Sequence, residues 1–225
     1  MTKRFQNEIE RLKRQVLHLT AKVEESLQAA VRSVQELDVR LAQRVIDGDT
    51  EIDRLEVELE EECLKILALH QPVAIDLRFL VAALKINSDL ERIGDLAVNI
   101  AQRTQRIAEV RVGPPPFDLS VMLNQTMAMV QTSADSLVRM DPELARRVLA
   151  ADDEIDHCHR QAFKAVEERL NENPAASSYY INLLSISRNL ERIGDHATNI
   201  AEDVIYMVNG DIVRHRAGGP TSSAK

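Results

Sequence analysis

The sequence predicts an all-α protein built as two tandem three-helix bundles. Three observations carry that expectation. Apolar residues recur at spacings of three and four along nearly the whole chain, and no stretch alternates as a strand does. Aromatic residues make up only 3% and Trp is absent, so the core must be aliphatic, which suits packed helices better than a sheet sandwich. Residues 86–101, INSDLERIGDLAVNIA, return at 186–201 as ISRNLERIGDHATNIA, which implies two copies of one structural unit.

The elements follow in order. Phe5, Ile9, Leu12, Val16, Leu19, Val23, Leu27, Ala30, Val34 and Leu37 mark one face of a long first helix. Asp38 can cap a second, whose stripe is Leu41, Val45, Ile52, Leu55, Leu59, Ile66 and Leu69. That helix ends near His70-Gln71, because Pro72 forbids continuation while suiting the first turn of a third helix. The third stripe is Phe79, Ala83, Ile86, Leu90, Ile93, Ala97, Ile100 and Ile107, ended by the stiff linker Gly113-Pro114-Pro115-Pro116. The second half repeats the plan. One helix runs from about Leu119 to Met140. The next starts at Asp141-Pro142-Glu143, with a cap, a proline at the first position and an acid in the first turn, and continues to about Leu170. The last covers about Ser178 to Val208 and is closed by Gly210. The repeats are therefore 1–112 and 117–212, and 213–225, with Gly-Gly-Pro and Ser-Ser, is expected to be a disordered tail.

Charge and composition exclude several classes. A net charge of −8 is wrong for nucleic acid, whose phosphates call for clustered Lys and Arg, but suits hard cations and basic partner surfaces. Cys63 and Cys158 do not occupy matching repeat positions, which argues against a disulfide and for a reducing cytoplasm. The start, MTKRFQNEIE, has no apolar core of a secretory signal, and the longest apolar run, Phe79 to Leu84, is too short to cross a bilayer. A cytoplasmic protein without membrane insertion is expected.

The candidate site is a set of acids placed where a core should be. Along the second helix a step of four from Val45 reaches Asp49, and three more reach Ile52, so an aspartate takes a core-facing position. Val148, Asp152 and Ile155 repeat the placement, and Asp53 and Asp156 follow each by four. On the third helix of each half, Glu91 and Asp95, then Glu191 and Asp195, flank the apolar stripe. Antiparallel neighbours would bring these pairs face to face. Four carboxylates that close do not all stay ionised without a cation, and oxygen ligands suit Mg²⁺, Ca²⁺, Mn²⁺ or iron. Asn99 and Asn199, four residues beyond the second acid, could add a carbonyl oxygen or orient a ligand. Gly94 and Gly194 are costly inside a helix and would let two helices approach closely. A single acid pair at this spacing is ordinarily a solvated face; four pairs, duplicated, argue for a site.

Other features count for less. Arg92 and Arg192 are expected to pair with neighbouring acids. Glu154-x-x-His157 matches half of a di-iron carboxylate motif, but Glu51-x-x-Arg54 stands at the first-half position, so His157-Cys158-His159 reads as surface imidazoles. No phosphate-binding loop, nucleophile elbow, zincin motif or dinucleotide glycine set occurs, and no catalytic constellation is visible.

Taken together, Asp49-Thr-Glu-Ile-Asp53, Gln71-Pro-Val-Ala-Ile-Asp-Leu-Arg78, Leu84-Lys-Ile-Asn-Ser-Asp-Leu-Glu-Arg-Ile-Gly-Asp95 and Leu190-Glu-Arg-Ile-Gly-Asp-His-Ala-Thr-Asn-Ile-Ala-Glu202 resemble the PhoU family across nearly the whole chain. The resemblance implies two three-helix bundles and metal clusters on Glu/Asp-x-x-x-Asp motifs, here Asp49, Asp53, Glu91, Asp95, Asp152, Asp156, Glu191 and Asp195. Members differ in metal, so iron, zinc, manganese and magnesium all stay open. It further implies a non-enzymatic negative regulator of phosphate-starvation signalling and phosphate uptake. Its implied partners are the ATPase subunit of the phosphate ABC transporter, a sensor histidine kinase and a second copy in a homodimer. The rival readings are a di-metal carboxylate oxidase and a purely structural helical module.

Overall fold

The structure is a computed structural model that describes residues 3–110 and 112–210; the expected tail at 213–225 lies outside them. Six long helices follow one another: α1 (Lys3–Glu36), α2 (Val39–His70), α3 (Ala74–Glu109), α4 (Leu119–Arg139), α5 (Pro142–Glu172) and α6 (Ser177–Asn209). Among the described residues there is no strand.

Local chemistry sets the boundaries. Asp38 accepts from the backbone N–H of Arg40 and Leu41 at 2.9 and 3.0 Å, which caps α2. Asp141 does the same for Glu143 and Leu144, with Pro142 at the first helical position of α5. Asp118 caps α4 through Ser120 and Val121. Gly210 ends α6 at a left-handed φ of 77°, its N–H on the Tyr206 carbonyl. Pro72 stands outside α3, which begins at Ala74: Gln71 turns left-handed to cap α2, and the chain needs Pro72 and Val73 to reverse. The Tyr179 hydroxyl donates to the Gly113 carbonyl at 2.5 Å, which fastens the linker to α6.

The sequence stripes become the core. Leu12, Leu19, Val23, Leu27 and Ala30 on α1 are fully buried, as are Leu59 and Ile66 on α2 and Ile86, Ile93 and Ile100 on α3. Leu69 departs from expectation. It is 57% exposed, because α2 ends one residue later and the reversal carries the chain away, leaving Leu69, Val73 and Ile75 at an open end.

α1, α2 and α3 pack on one another, and so do α4, α5 and α6. The largest helix interface, however, joins the halves: α3 lies against α6, with α1 touching α4 beside them. One continuous apolar cluster runs through both bundles. Polar ties register the α3–α6 seam. Lys85 Nζ reaches Asp203 at 3.4 Å, Arg103 donates to Asn182 Oδ1 at 3.2 Å, and Asp89 Oδ1 meets His196 Nδ1 at 2.8 Å and Asn199 Nδ2 at 3.1 Å.

Candidate functional site

Two carboxylate sets lie along the α2–α3 and α5–α6 contacts. Because those helices run antiparallel, rising numbers on one oppose falling numbers on the other. Asp49 lies over Gly94: a methyl built on that glycine would stand 3.8 Å from Asp49 Oδ1 and 3.2 Å from Ile52 Cγ2. Asp152 lies over Gly194 in the same way, with Oδ1 at 3.6 Å and Ile155 at 3.8 Å. The glycine approach is therefore tight in the first half and of ordinary contact in the second.

The half-burial of these acids has electrostatic consequences. Asp49 is pushed up to about 6, first by burial and then by the charges of Asp53 and Asp95. Its Oδ1 is buried without a hydrogen-bond partner. Asp152 is likewise pushed up to about 6, by burial and then by Asp195, Asp156 and Asp153. Glu91 is raised by burial, Asp95, Glu56 and Asp53 against the pull of Arg92. Glu191 is raised by burial, Asp156 and Asp152, and Asp195 by burial, Glu191 and Asp156. The expected faces thus meet as neighbours in both halves. As the side chains stand, no three His, Cys, Asp or Glu among the described residues converge on one point. Arg92 accounts for part of the spread, since it holds Asp95 Oδ2 at 3.2 Å and Glu91 Oε2 at 3.4 Å.

The two asparagines part company with this set. Asn99 is exposed. Asn199 is drawn into the seam between the halves, donating to Asp89. Asp89 and Asn199 come from different repeats, so local sequence gave no sign of the contact. Glu56 was also missed. It sits one turn past Asp53, half-buried, and Asn87 donates to both its carboxylate and its carbonyl, at 3.1 and 3.0 Å.

The reading of surface imidazoles holds for His157, which is exposed and bonded to Gln161. It fails for His159. That ring is half-buried against Ser187 Oγ at 2.8 Å, and burial lowers its pKa. The residue lies on the flank of α5 turned to α6, one turn past Asp156. Glu154 is exposed, so the half di-iron motif does not enter the bundle.

The residues fit a hard cation by donor chemistry: oxygen ligands paired across two helices in each half, and in the first half a buried carboxylate oxygen with no partner. Asp49, Asp53, Glu91 and Asp95 would hold it in the first half, and Asp152, Asp156, Glu191 and Asp195 in the second. Among the described residues, no helix is long and apolar enough to cross a membrane.

Comparison with known proteins agrees with the fold of two repeated helical units. A PhoU domain profile matches residues 16–104 and 119–204, one copy on each half. The sequence is 37% identical to the phosphate-specific transport system accessory protein PhoU homolog of Pseudomonas aeruginosa, over 96% of this chain and 89% of that protein. The crystal structure of PhoU from Pseudomonas aeruginosa superposes with a TM-score of 0.89 at 37% identity, covering 92% of this chain and 100% of that one. The phosphate transport system regulatory protein PhoU from Streptococcus pneumoniae superposes with a TM-score of 0.82 at 25% identity, over 93% and 99%.

Proposed function

The chain belongs to the PhoU family, and from that premise we propose that it is a metal-binding, non-enzymatic regulator of phosphate uptake. It represses phosphate-starvation signalling when phosphate is plentiful, in the cytoplasm, by contact with the ATPase subunit of the phosphate ABC transporter and with a sensor histidine kinase. Related proteins named as accessory and regulatory components of phosphate transport support the regulatory part.

The observation that carries the metal part is the duplicated crowding of carboxylates, with Asp49 and Asp152 each pushed up to about 6. A bound cation supplies the positive charge that lets all of them ionise near neutral pH. The protein's share of the work is to present ligands from two helices at once. Asp49 and Asp53 on α2 with Glu91 and Asp95 on α3 would hold an ion in the first half, and Asp152 and Asp156 on α5 with Glu191 and Asp195 on α6 in the second; the ion would supply positive charge that links the two helices of each pair. The neutralised faces are then a surface whose charge depends on ion occupancy, which suits a docking module and a self-pairing one alike.

The test is a starvation-promoter reporter in phosphate-rich medium. Deletion of the gene is expected to switch the reporter on. The combined Asp49→Ala, Glu91→Ala and Asp95→Ala protein, folded by circular dichroism and present at normal level, is expected to behave as the deletion does. Full repression by that variant removes the metal faces from the signalling role, and a silent reporter in the deletion strain removes the regulatory role.

A further inference from the structure

An apolar groove of about 110 Å³ opens where the two halves meet, between α1 and α3 of the first and the C-terminal ends of α4 and α6 of the second. Leu17, Phe79, Leu137, Val138, Met140 and Met207 line it. Three of these stand bare together: Leu17 is 37% exposed, Met140 39% and Val138 54%. Apolar side chains exposed as one patch mark a surface that something covers.

The described chain stops beside this groove. Met207, on its wall, lies three residues before Gly210, which takes a left-handed φ of 77° and turns the backbone off the axis of α6. A β-carbon built on Gly210 would stand 3.4 Å from Nη1 of Arg78, the neighbour in sequence of Phe79. The chain therefore leaves α6 against the start of α3, at the Phe79 edge of the groove. The sequence continues as Asp211-Ile212-Val213-Arg214-His215-Arg216, outside the described residues. We infer that Ile212 and Val213 fill the groove and strap the two halves together at this end of their seam.

Reach, order and size all agree with that occupant. Two and three residues of extended chain span at most about 7 and 11 Å, enough to bring Ile212 and Val213 back from Gly210 to the groove. Arg78 Nε is buried with no hydrogen-bond partner among the described residues. The first residue to pass it, Asp211, carries an acceptor of the right charge, and the aliphatic pair follows where the wall turns apolar. From Arg214 to Lys225 there is no Val, Ile, Leu, Met or aromatic residue, so no later segment of the chain offers a comparable side chain. The groove is smaller than the roughly 300–1,000 Å³ of small-molecule sites. It is closer to the cavity of about 150 Å³ that takes up a single benzene, which is the scale of branched aliphatic side chains. This inference is independent of the metal-binding reading.

Methyl-labelled full-length protein tests it by NMR. Nuclear Overhauser contacts are expected from the Ile212 and Val213 methyls to those of Leu17, Val138 and Met140, with amide exchange at 212–214 slower than in a free peptide of that sequence. Leu17→Lys changes an exposed edge of the groove. It should abolish those contacts and bring exchange at 212–214 to the peptide's rate, while circular dichroism stays unchanged. Ile212→Asp with Val213→Asp should keep the helix content and speed exchange in the last turn of α4, from Leu137 to Met140. Tail methyls that resonate as in the free peptide and touch nothing in the groove overturn the inference. So do contacts that survive in Leu17→Lys. Contacts seen only between differently labelled copies in a mixed sample give the groove to a second copy and remove the strap. Contacts within one copy, with exchange in α4 unaltered by the double aspartate, leave the seat but overturn its role in holding the halves.

Discussion

Asp49 faces Gly94 across the α2–α3 contact, its Oδ1 3.8 Å from where a β-carbon on the glycine would stand, with Ile52 closer still at 3.2 Å. The bare glycine is what lets Ile52 pack this close to α3, while Asp49 would keep an ordinary contact even with a methyl there, and it costs α3 about 1 kcal/mol of helix propensity relative to Ala. The paired contact at Gly194 is looser, with Asp152 Oδ1 at 3.6 Å and Ile155 at 3.8 Å. Urea melts should separate them. Gly194→Ala is expected to stabilise by about 0.5–1 kcal/mol, since the methyl fits and the helix gains. Gly94→Ala must displace Ile52 by a few tenths of an ångström and should gain little or nothing. Gly94→Leu should destabilise by about 1–3 kcal/mol through overpacking. Equal stabilisation by both alanines contradicts the asymmetry.

The pH dependence of the ion-free protein has a definite sign. Asp49 and Asp152 titrate near 6 when folded, against about 3.9 for an aspartate in an unfolded chain. The native state thus holds these protons more tightly, so their contribution is fully present below about pH 4 and is lost as the pH rises through 6. Glu8 and Asp38 act oppositely, held down chiefly by the hydrogen bonds from Arg4 and from the Leu41 backbone, so a wild-type curve alone mixes the two. The comparison that isolates the site is Asp49→Asn with Asp152→Asn. In chelator, that variant should melt above the wild type at pH 7, and the gap should close as the pH falls to about 4. A gap that does not change with pH removes the electrostatic account.

Much of this was legible along the chain. The stripes, the caps Asp38 and Asp141, the glycine stop at Gly210 and the core-facing Asp49 and Asp152 all depend on residues within a few positions of one another, and local spacing reports local geometry. The seam between the halves does not work that way. α3 and α6 share the repeated segment 86–101 and 186–201, and nothing along the chain says that each helix packs on the other. Asp89 and His196 look like surface residues of two separate helices until the seam joins them at 2.8 Å. His159 was misread for a related reason: its burial comes from Ser187 on a facing helix, which a window along α5 does not contain. Leu69 erred in the other direction, continuing a stripe past the point where any partner follows it.

The seam makes its own prediction. Asp203 is 1% exposed on α6, and Lys85 of α3 brings its ammonium to 3.4 Å, over the Tyr206 ring. Lys85→Met removes the cation but leaves the buried carboxylate, and should cost about 1–3 kcal/mol. Lys85→Met with Asp203→Leu takes out both charges and should recover a good part of that loss. A double-mutant cycle from chemical denaturation measures the coupling. Additive single effects would show that the pair contributes nothing to holding the halves together.

The last prediction turns on a reversal of sign. Without an ion, the crowded carboxylates oppose folding at pH 7, and a protein relieved of some of them is the more stable one. With an ion, on the proposed reading, the same side chains would be ligands, and binding to the native state would stabilise it by an amount that grows with free ion, about 2.7 kcal/mol at one hundred times the dissociation constant. Asp53→Asn with Glu91→Gln, and Asp156→Asn with Glu191→Gln, should therefore each melt at or above the wild type in chelator and below it in saturating Mn²⁺. The four substitutions together should make the melting temperature indifferent to the ion. Thermal melts across a manganese titration read the crossing point. Variants that stay above the wild type at every concentration would mean that these acids carry charge for solubility alone. Variants that stay below it even in chelator would mean that the carboxylates are held by protein hydrogen bonds, and that their crowding is not what an ion relieves.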